Sequence, residues 1–169
     1  MANFDFSIHK KMKITIRQSQ KEDMPKVLEY IQELATYEKA PDEMVNTVEN
    51  LEKDGFGENK LFDCIVAEIE DFVVGFALYY TGYSTWKGRT LYLEDFLVSE
   101  DYRGKGIGKL LFDEVILEAK KRGVKRMDWQ IIDWNEPAIN FYKKYNATLD
   151  GEWFNGRFFE EDIRNFNVN

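Results

Sequence analysis

Six residues in the second half of the chain, Arg103-Gly104-Lys105-Gly106-Ile107-Gly108, interleave three alternate glycines with two full positive charges. Alternate glycines let the backbone adopt conformations that other residues avoid, and let it approach a ligand closely. Where such a loop opens a helix, its N–H groups converge at the end where the macrodipole favours an anion. The pattern reads as a seat for a phosphate or pyrophosphate. It is not a P-loop, because no G-x-x-x-x-G-K-[ST] spacing occurs. Against the dinucleotide fingerprint G-x-G-x-x-G, its third glycine comes one residue early.

A second feature lies just upstream. Glu94 and Asp95 interrupt the apolar run Leu91-Tyr92-Leu93-Glu94-Asp95-Phe96-Leu97-Val98. Consecutive strand residues face opposite sides, so the two carboxylates are not expected on one face, and at least one should enter a cleft. A buried carboxylate without a partner is costly, which points to a cationic substrate or a water chain beside it. His9 is the single histidine and lies in a polar stretch near the N-terminus, so a Ser-His-Asp or Cys-His engine is not expected. Proton transfer then falls to Glu, Asp, Tyr, Lys or water. Cys64 is the single cysteine, which excludes an internal disulfide framework and a multi-cysteine metal site. Within Phe62-Asp63-Cys64-Ile65-Val66 it reads as a buried strand residue, not a nucleophile.

The elements that must hold these groups follow from periodicity. Residues 12–17 form a strand with Ile14 and Ile16 on one face, and 22–38 a helix with Val27, Leu28, Ile31, Leu34 and Ala35 in one stripe. A helix over 45–54 ends at Gly55. Residues 62–69 and 72–80 form a hairpin about Glu70-Asp71, and 89–98 a further strand. An amphipathic helix runs from 108 to 122 and stops at Gly123. Residues 127–132 form a strand, Asn135 caps a helix over 136–145, and a last strand spans 154–163. A helix between strands 89–98 and 127–132 requires a crossover, hence a parallel pair inside a mixed sheet. With 169 residues, 44% apolar and 15% aromatic, the chain can build one full core. Residues 1–11 read as an N-terminal extension and 12–169 as the domain.

The net charge of −8 argues against a nucleic-acid partner. Residues 101–146 carry ten Lys/Arg and seven Asp/Glu, a local +3 that leaves −11 elsewhere. A polyanion would be drawn to the first region and a cation to the second. No run of about 18 apolar residues crosses a membrane and no secretory leader is visible, so a cytoplasmic location is expected.

Arg103-Gly104-Lys105-Gly106-Ile107-Gly108 resembles the acetyl-CoA pyrophosphate loop of the GCN5-related N-acetyltransferases. Tyr83-Ser84-Thr85-Trp86-Lys87-Gly88-Arg89-Thr90-Leu91-Tyr92-Leu93-Glu94-Asp95 and Trp134-Asn135-Glu136-Pro137-Ala138-Ile139-Asn140-Phe141-Tyr142 resemble the diamine (spermidine/spermine) acetyltransferase group and its thialysine-acetylating relatives, as do Tyr37-Glu38 and Gly55-Phe56-Gly57-Glu58. The resemblance covers roughly residues 12–154. It implies an α/β single-domain acetyltransferase fold, a mixed twisted sheet with splayed central parallel strands and helices on both faces. It implies acetyl-CoA as co-substrate, no metal, a homodimer, and a small cationic amine as the acceptor.

By that resemblance Tyr142 is the general acid toward the CoA thiolate and Glu94 accepts the amine proton through water. Phe96, Leu97 and Val98 offer backbone groups to the cofactor, with a strand N–H polarising the thioester carbonyl. Arg103, Gly104, Lys105, Gly106, Ile107 and Gly108 hold the pyrophosphate, and Asn135 and Pro137 contact the cofactor. Tyr37, Glu38, Trp86, Glu94 and Asp95 form the amine site. The chain departs from the group at Ser84-Thr85-Trp86. Long-polyamine acetylation there goes with an acidic residue before a proline-tryptophan, and its lack leaves a shorter or zwitterionic amine. Residues 150–157 are also shorter than the group's acidic segment, although Glu152 lies within them. The rival readings are a protein or peptide N-acetyltransferase and a non-catalytic CoA-binding regulatory module.

Overall fold

The computed structural model describes residues 13–152 and 155–167, which fall into two compact units, Met1–Gln130 and Ile131–Asn169. The extension 1–11, with His9, lies outside the described residues, as does Met12.

The first unit is a five-stranded sheet in the order β1-β2-β3-β4-β5: β1 Ile14–Gln18, β2 Asp63–Ile69, β3 Phe72–Ser84, β4 Gly88–Val98 and β5 Arg126–Asp128. The first four strands pair antiparallel, and β5 lies parallel to β4. The β2–β3 turn uses Glu70 and Asp71 at φ +48° and +67°, the two left-handed positions of a two-residue hairpin whose twist matches the strands. β5 matches only Thr90, Leu91 and Tyr92 of β4, so residues 93–98 carry no β5 partner among the described residues. The parallel pair is the one expected, and it stands at the edge of the described sheet. The strand itself is shorter than the predicted 127–132.

Helices cover both faces of this sheet. Helices α1 (Met24–Tyr37) and α2 (Val48–Phe56) close one face. Met24, Val27, Tyr30 and Leu51 pack there with Cys64, Val66, Phe76, Leu78 and Leu97. Arg17 of β1 sends a two-pronged bond to Asp23 at 2.7 and 2.9 Å and a third to Glu68 at 2.8 Å, fastening the start of α1 to the sheet. Burial works to raise the Asp23 carboxyl, but Arg17 and the Gln20 N–H outweigh it and hold it below its ordinary value. Helix α3 (Ile107–Lys121) covers the other face. Its end is tied down by Arg122, which bonds Asp63 at 2.7 Å and lies over the Tyr79 ring at 5.1 Å.

Two boundaries differ from expectation for packing reasons. Helix α2 passes through Gly55 and stops at Phe56, and the glycine there serves packing: a Cβ would sit 2.8 Å from the Phe62 ring. β3 extends to Ser84, four residues beyond the predicted end, along a polar and glycine-containing stretch that pairs with residues 88–91.

The second unit holds α4 (Glu136–Lys143) and α5 (Glu160–Arg164). The predicted last strand over 154–163 is not a strand. Residues 155–159 are irregular, Phe154 lies outside the described residues, and α5 begins at Glu160. Three acids, Glu160, Glu161 and Asp162, occupy its first turn, where the macrodipole favours them, and Asp162 accepts the Phe159 N–H at 2.9 Å.

Candidate active site

The carboxylate pair sits on an irregularity of the sheet. Leu78 of β3 lies opposite Asp95 and Tyr79 opposite Leu93, so Glu94 is an extra residue with no partner across the ladder. Such a bulge shifts the alternation of the strand by one. Before it, Tyr92 stacks on Tyr80 at 5.3 Å, on the face where Phe76 and Leu78 meet α1 and α2. After it, Leu97 joins that same cluster, while Phe96 turns to α3 and meets Phe112 at 5.9 Å. Asp95, two residues before Leu97, therefore shares the α1 side. Glu94 is there as well, accepting a hydrogen bond from the Tyr80 hydroxyl at 3.0 Å. The expectation that adjacent strand residues must point apart fails here, because the bulge brings both carboxylates to one side.

Glu38 joins them from the end of α1. That helix closes with Ala40 N–H bonding the Ala35 carbonyl at 2.9 Å and Lys39 N–H the Thr36 carbonyl at 3.1 Å, with Lys39 at φ +64°. This is the two-bond stop usually made by glycine, and it fixes Glu38 as the last residue before the chain turns. Burial raises the Glu38 carboxyl above its ordinary value. Asp95 is pushed up to about 6 by burial first and then by Glu94 and Glu38. Among the described residues no lysine or arginine pairs with any of the three. The cluster is a place where a cation would be welcomed. Tyr37 lies beside it in sequence, half exposed at the end of α1.

Trp86 sits elsewhere. The β3–β4 turn is braced by Ser84 Oγ, which accepts the Trp86 and Lys87 N–H groups at 3.3 and 3.2 Å, and Gly88 supplies φ +92°. Trp86 is 85% exposed at this tip. Six residues separate Gly88 from Glu94 along β4, about 20 Å at strand rise. Within the first unit Trp86 is not brought to the carboxylates.

The glycine loop joins β4 to α3 after a short 3-10 turn over Glu100–Tyr102. Gly104 and Gly106 have φ +73° and +82°, and a Cβ on either would meet nothing within 4 Å. Glycine is required here by conformation, and the space in front of the loop is open. Gly106 is the residue before α3, so the helix's first N–H groups have no partner inside the helix. Arg103 Nε bonds the Val98 carbonyl at 2.9 Å and Lys105 Nζ the Asp101 carbonyl at 2.7 Å, pinning the loop to the end of β4. Just before it, Phe96, Leu97 and Val98 pair with β3, beyond the stretch of β4 that pairs with β5. The end of β4, a left-handed glycine loop and a helix N-terminus thus follow one another along the chain.

In the second unit, Asn135 Oδ1 accepts the Ala138 N–H at 3.2 Å and caps α4, with Pro137 in the first turn. The helix ends at Lys143, two residues short of expectation, and the Tyr145 N–H bonds the Tyr142 carbonyl at 2.9 Å. Tyr142 is 5% exposed, and burial pushes its phenol well above the ordinary value. The Phe141 ring meets its edge at 5.2 Å. Cys64 is buried with its thiol pushed up to about 12, again by burial first, which suits a core residue.

Sequence reasoning missed Tyr80 and the partnership of Tyr80 with Tyr92. A weak signal was present, since both are strand tyrosines, but their pairing depends on a register that the bulge alters.

Comparison with known proteins matches this arrangement. The family model "Acetyltransferase (GNAT) family" matches residues 24–147. The chain is 40% identical over 162 residues to a thialysine N-epsilon-acetyltransferase of Sus scrofa, covering 89% of this chain and 95% of that one. It is 38% identical over 158 residues to the spermidine/spermine N(1)-acetyltransferase-like protein 1 of Homo sapiens, covering 88% of this chain and 23% of that longer one. Among solved structures, an integron cassette protein from the mobile metagenome of V. cholerae superposes with TM-score 0.72 at 27% identity, covering 90% of this chain and 96% of the other.

Proposed function

The chain belongs to the acetyltransferase (GNAT) family, and on that premise we propose that it acetylates a small cationic primary amine. The acceptor would be a diamine, a polyamine or a lysine- or thialysine-like amino acid. The observation that carries this reading is the trio of Glu38, Glu94 and Asp95 on one side of the sheet, with no lysine or arginine partner among the described residues. Three acids without a basic partner select an ammonium group and disfavour a neutral or anionic acceptor. The names of the mammalian relatives support the same acceptor class.

Acetyl-CoA, when bound, supplies an acetyl group already activated as a thioester. The fit of this chain to that cofactor rests on the open left-handed glycine loop at the N-terminus of α3. Arg103, Gly104, Lys105, Gly106, Ile107 and Gly108 would hold the pyrophosphate with N–H groups and two cations. The backbone of Phe96, Leu97 and Val98 would hold the pantetheine arm, a strand N–H there would polarise the carbonyl, and Asn135 and Pro137 would contact the cofactor.

Asp95 and Glu38 attract and orient the ammonium, with Tyr37 beside them. Glu94, exposed and hydrogen-bonded to Tyr80, takes the amine proton through water, leaving a neutral nucleophile. Tyr142, a phenol held protonated by burial, returns a proton on the thiolate side. No nucleophilic side chain intervenes, in keeping with the buried Cys64. The same resemblance supports a homodimer in the cytoplasm that needs no nucleic-acid or membrane partner; among the described residues no helix is long and apolar enough to cross a membrane.

The test is a CoA thiol-release assay with acetyl-CoA and a panel of thialysine, lysine, putrescine, spermidine, spermine, an aminoglycoside and a short peptide. Turnover of at least one small amine, well above the peptide, is expected. Binding of acetyl-CoA with no turnover of any small amine would overturn the reading in favour of a regulatory module, and preference for the peptide would overturn it in favour of a protein acetyltransferase.

A further inference from the structure

We infer that Tyr80 is the positioning residue of Glu94: its hydroxyl, braced by the Tyr92 ring, holds the carboxylate in place at the bulge. The inference rests on the reading of Glu94 as proton acceptor given above.

Glu94 is exposed and has no partner across the ladder. A glutamate in that setting samples many rotamers, and a proton acceptor that does so spends little time where the amine needs it. Tyr80 answers this. Its hydroxyl donates to Glu94 Oε2 at 3.0 Å. Tyr80 lies directly opposite Tyr92 in the β3–β4 register, and the two rings stack at 5.3 Å and 26°. Such a cross-strand aromatic pair is stiff, since each ring has only two side-chain torsions and a neighbour against its face. The donor is therefore fixed to the sheet while the acceptor is not.

The phenol also keeps its proton. Burial first, and then Glu94, push Tyr80 up to about 12, so it remains a donor throughout the neutral range. The other titratable groups around this point are Tyr92 and Asp95 on β4, Glu38 at the end of α1, and Asp128 of β5, which acts on Tyr92. Tyr80 is the group among them whose hydrogen bond reaches Glu94.

The experiment uses the full chain as wild type, Tyr80→Phe, Glu94→Gln and the double variant. Each is assayed with saturating acetyl-CoA and the panel amine that turns over fastest. A hydrogen bond to a charged group, once lost, corresponds to roughly tenfold to a hundredfold in rate. Tyr80→Phe is expected to lose about tenfold in kcat/KM for the amine, with the KM for acetyl-CoA unchanged within twofold and the melting temperature nearly unmoved. Glu94→Gln should lose at least as much, and the double variant should be no slower than Glu94→Gln, because Tyr80 acts only through that carboxylate.

If Tyr80→Phe stays within twofold of wild type while Glu94→Gln is slow, Tyr80 does not position Glu94 and the acceptor role of Glu94 stands. If Tyr80→Phe slows the Glu94→Gln protein as much as it slows wild type, Tyr80 is structural and the inference fails. Glu94→Gln at the wild-type rate would remove the acceptor role and the inference together.

Discussion

Replacing Asp95 with asparagine is expected to stabilise this protein, and only above acidic pH. The Asp95 carboxyl is raised from 3.8 to about 6, by burial first and then by its neighbours Glu94 and Glu38. Folding therefore favours the protonated form. Below pH about 4 the group is protonated in both folded and unfolded chains and costs nothing. As pH rises from about 4 to about 6 the unfolded chain loses the proton while the folded one resists, so stability falls across that window and stays lowered above it. At about 1.36 kcal/mol per unit of pH, the penalty approaches about 3 kcal/mol near pH 7. The asparagine side chain removes the charge and keeps the shape.

In thermal melts from pH 3.5 to 8, the Asp95→Asn protein should coincide with wild type at the acid end and melt about 6–12 °C higher at pH 7–8, using the usual scaling for chains of this size. The same variant should bind the cationic amine more weakly, because what costs the empty protein stability is what attracts the substrate. An offset between variant and wild type that is equal at every pH would refute the reasoning, and so would a variant less stable than wild type at pH 8. Either result would mean that Asp95 ionises against a partner instead of against burial and two like charges.

Three further outcomes are expected. Gly106→Ala places a side chain at φ +82°, where the added Cβ meets nothing within 4 Å, so its cost is conformational, about 1–2 kcal/mol. Acetyl-CoA affinity measured by calorimetry should fall about tenfold, and unchanged affinity would remove this loop from the pyrophosphate site. Tyr142→Phe should lower kcat about 100-fold, as expected for loss of a general acid, while acetyl-CoA binding changes by less than threefold; an unchanged kcat would assign Tyr142 to the core alone. Cys64, buried with its thiol pushed up to about 12, should resist a thiol reagent at pH 8 in the native protein and react fully once unfolded, whereas fast native labelling would contradict its burial.

Much of this was readable from residue order, and the rest depended on register. Apolar stripes located α1 and α3, and Gly123 marked where α3 stops, because these signals act within one helical turn. The glycine loop was legible for the same reason, since Gly104 and Gly106 answer to their own backbone angles. Boundaries failed where a distant residue decided them. Gly55 looks like a helix stop until Phe62 is known to press on it, and the terminal segment reads as a strand until its three acids find a helix N-terminus. Lys39 ends α1 in the left-handed region without the glycine that would have announced it.

The site shows the same division more sharply. Two adjacent carboxylates in an apolar strand mark a place worth attention, but strict alternation would put Asp95 with Leu93 on the α3 face, away from Glu38. One extra residue in β4 reverses that. It returns Leu97 to the α1 core, turns Phe96 to Phe112, and leaves both acids on the side where Glu38 ends its helix. A bulge leaves little trace in composition, because it is a mismatch between two strands and each strand alone is regular. Deleting Glu94 closes the bulge and leaves Asp95 opposite Leu78 and next to Leu93, so Asp95 should stay on the α1 side with Glu38 and lose only its neighbour Glu94. That protein should keep most of its pH-dependent instability, because burial and Glu38 still raise Asp95, and losing it would refute the placement of Asp95 by this register. Comparing its melting curve with that of Glu94→Gln separates the shape of the strand from the charge it carries.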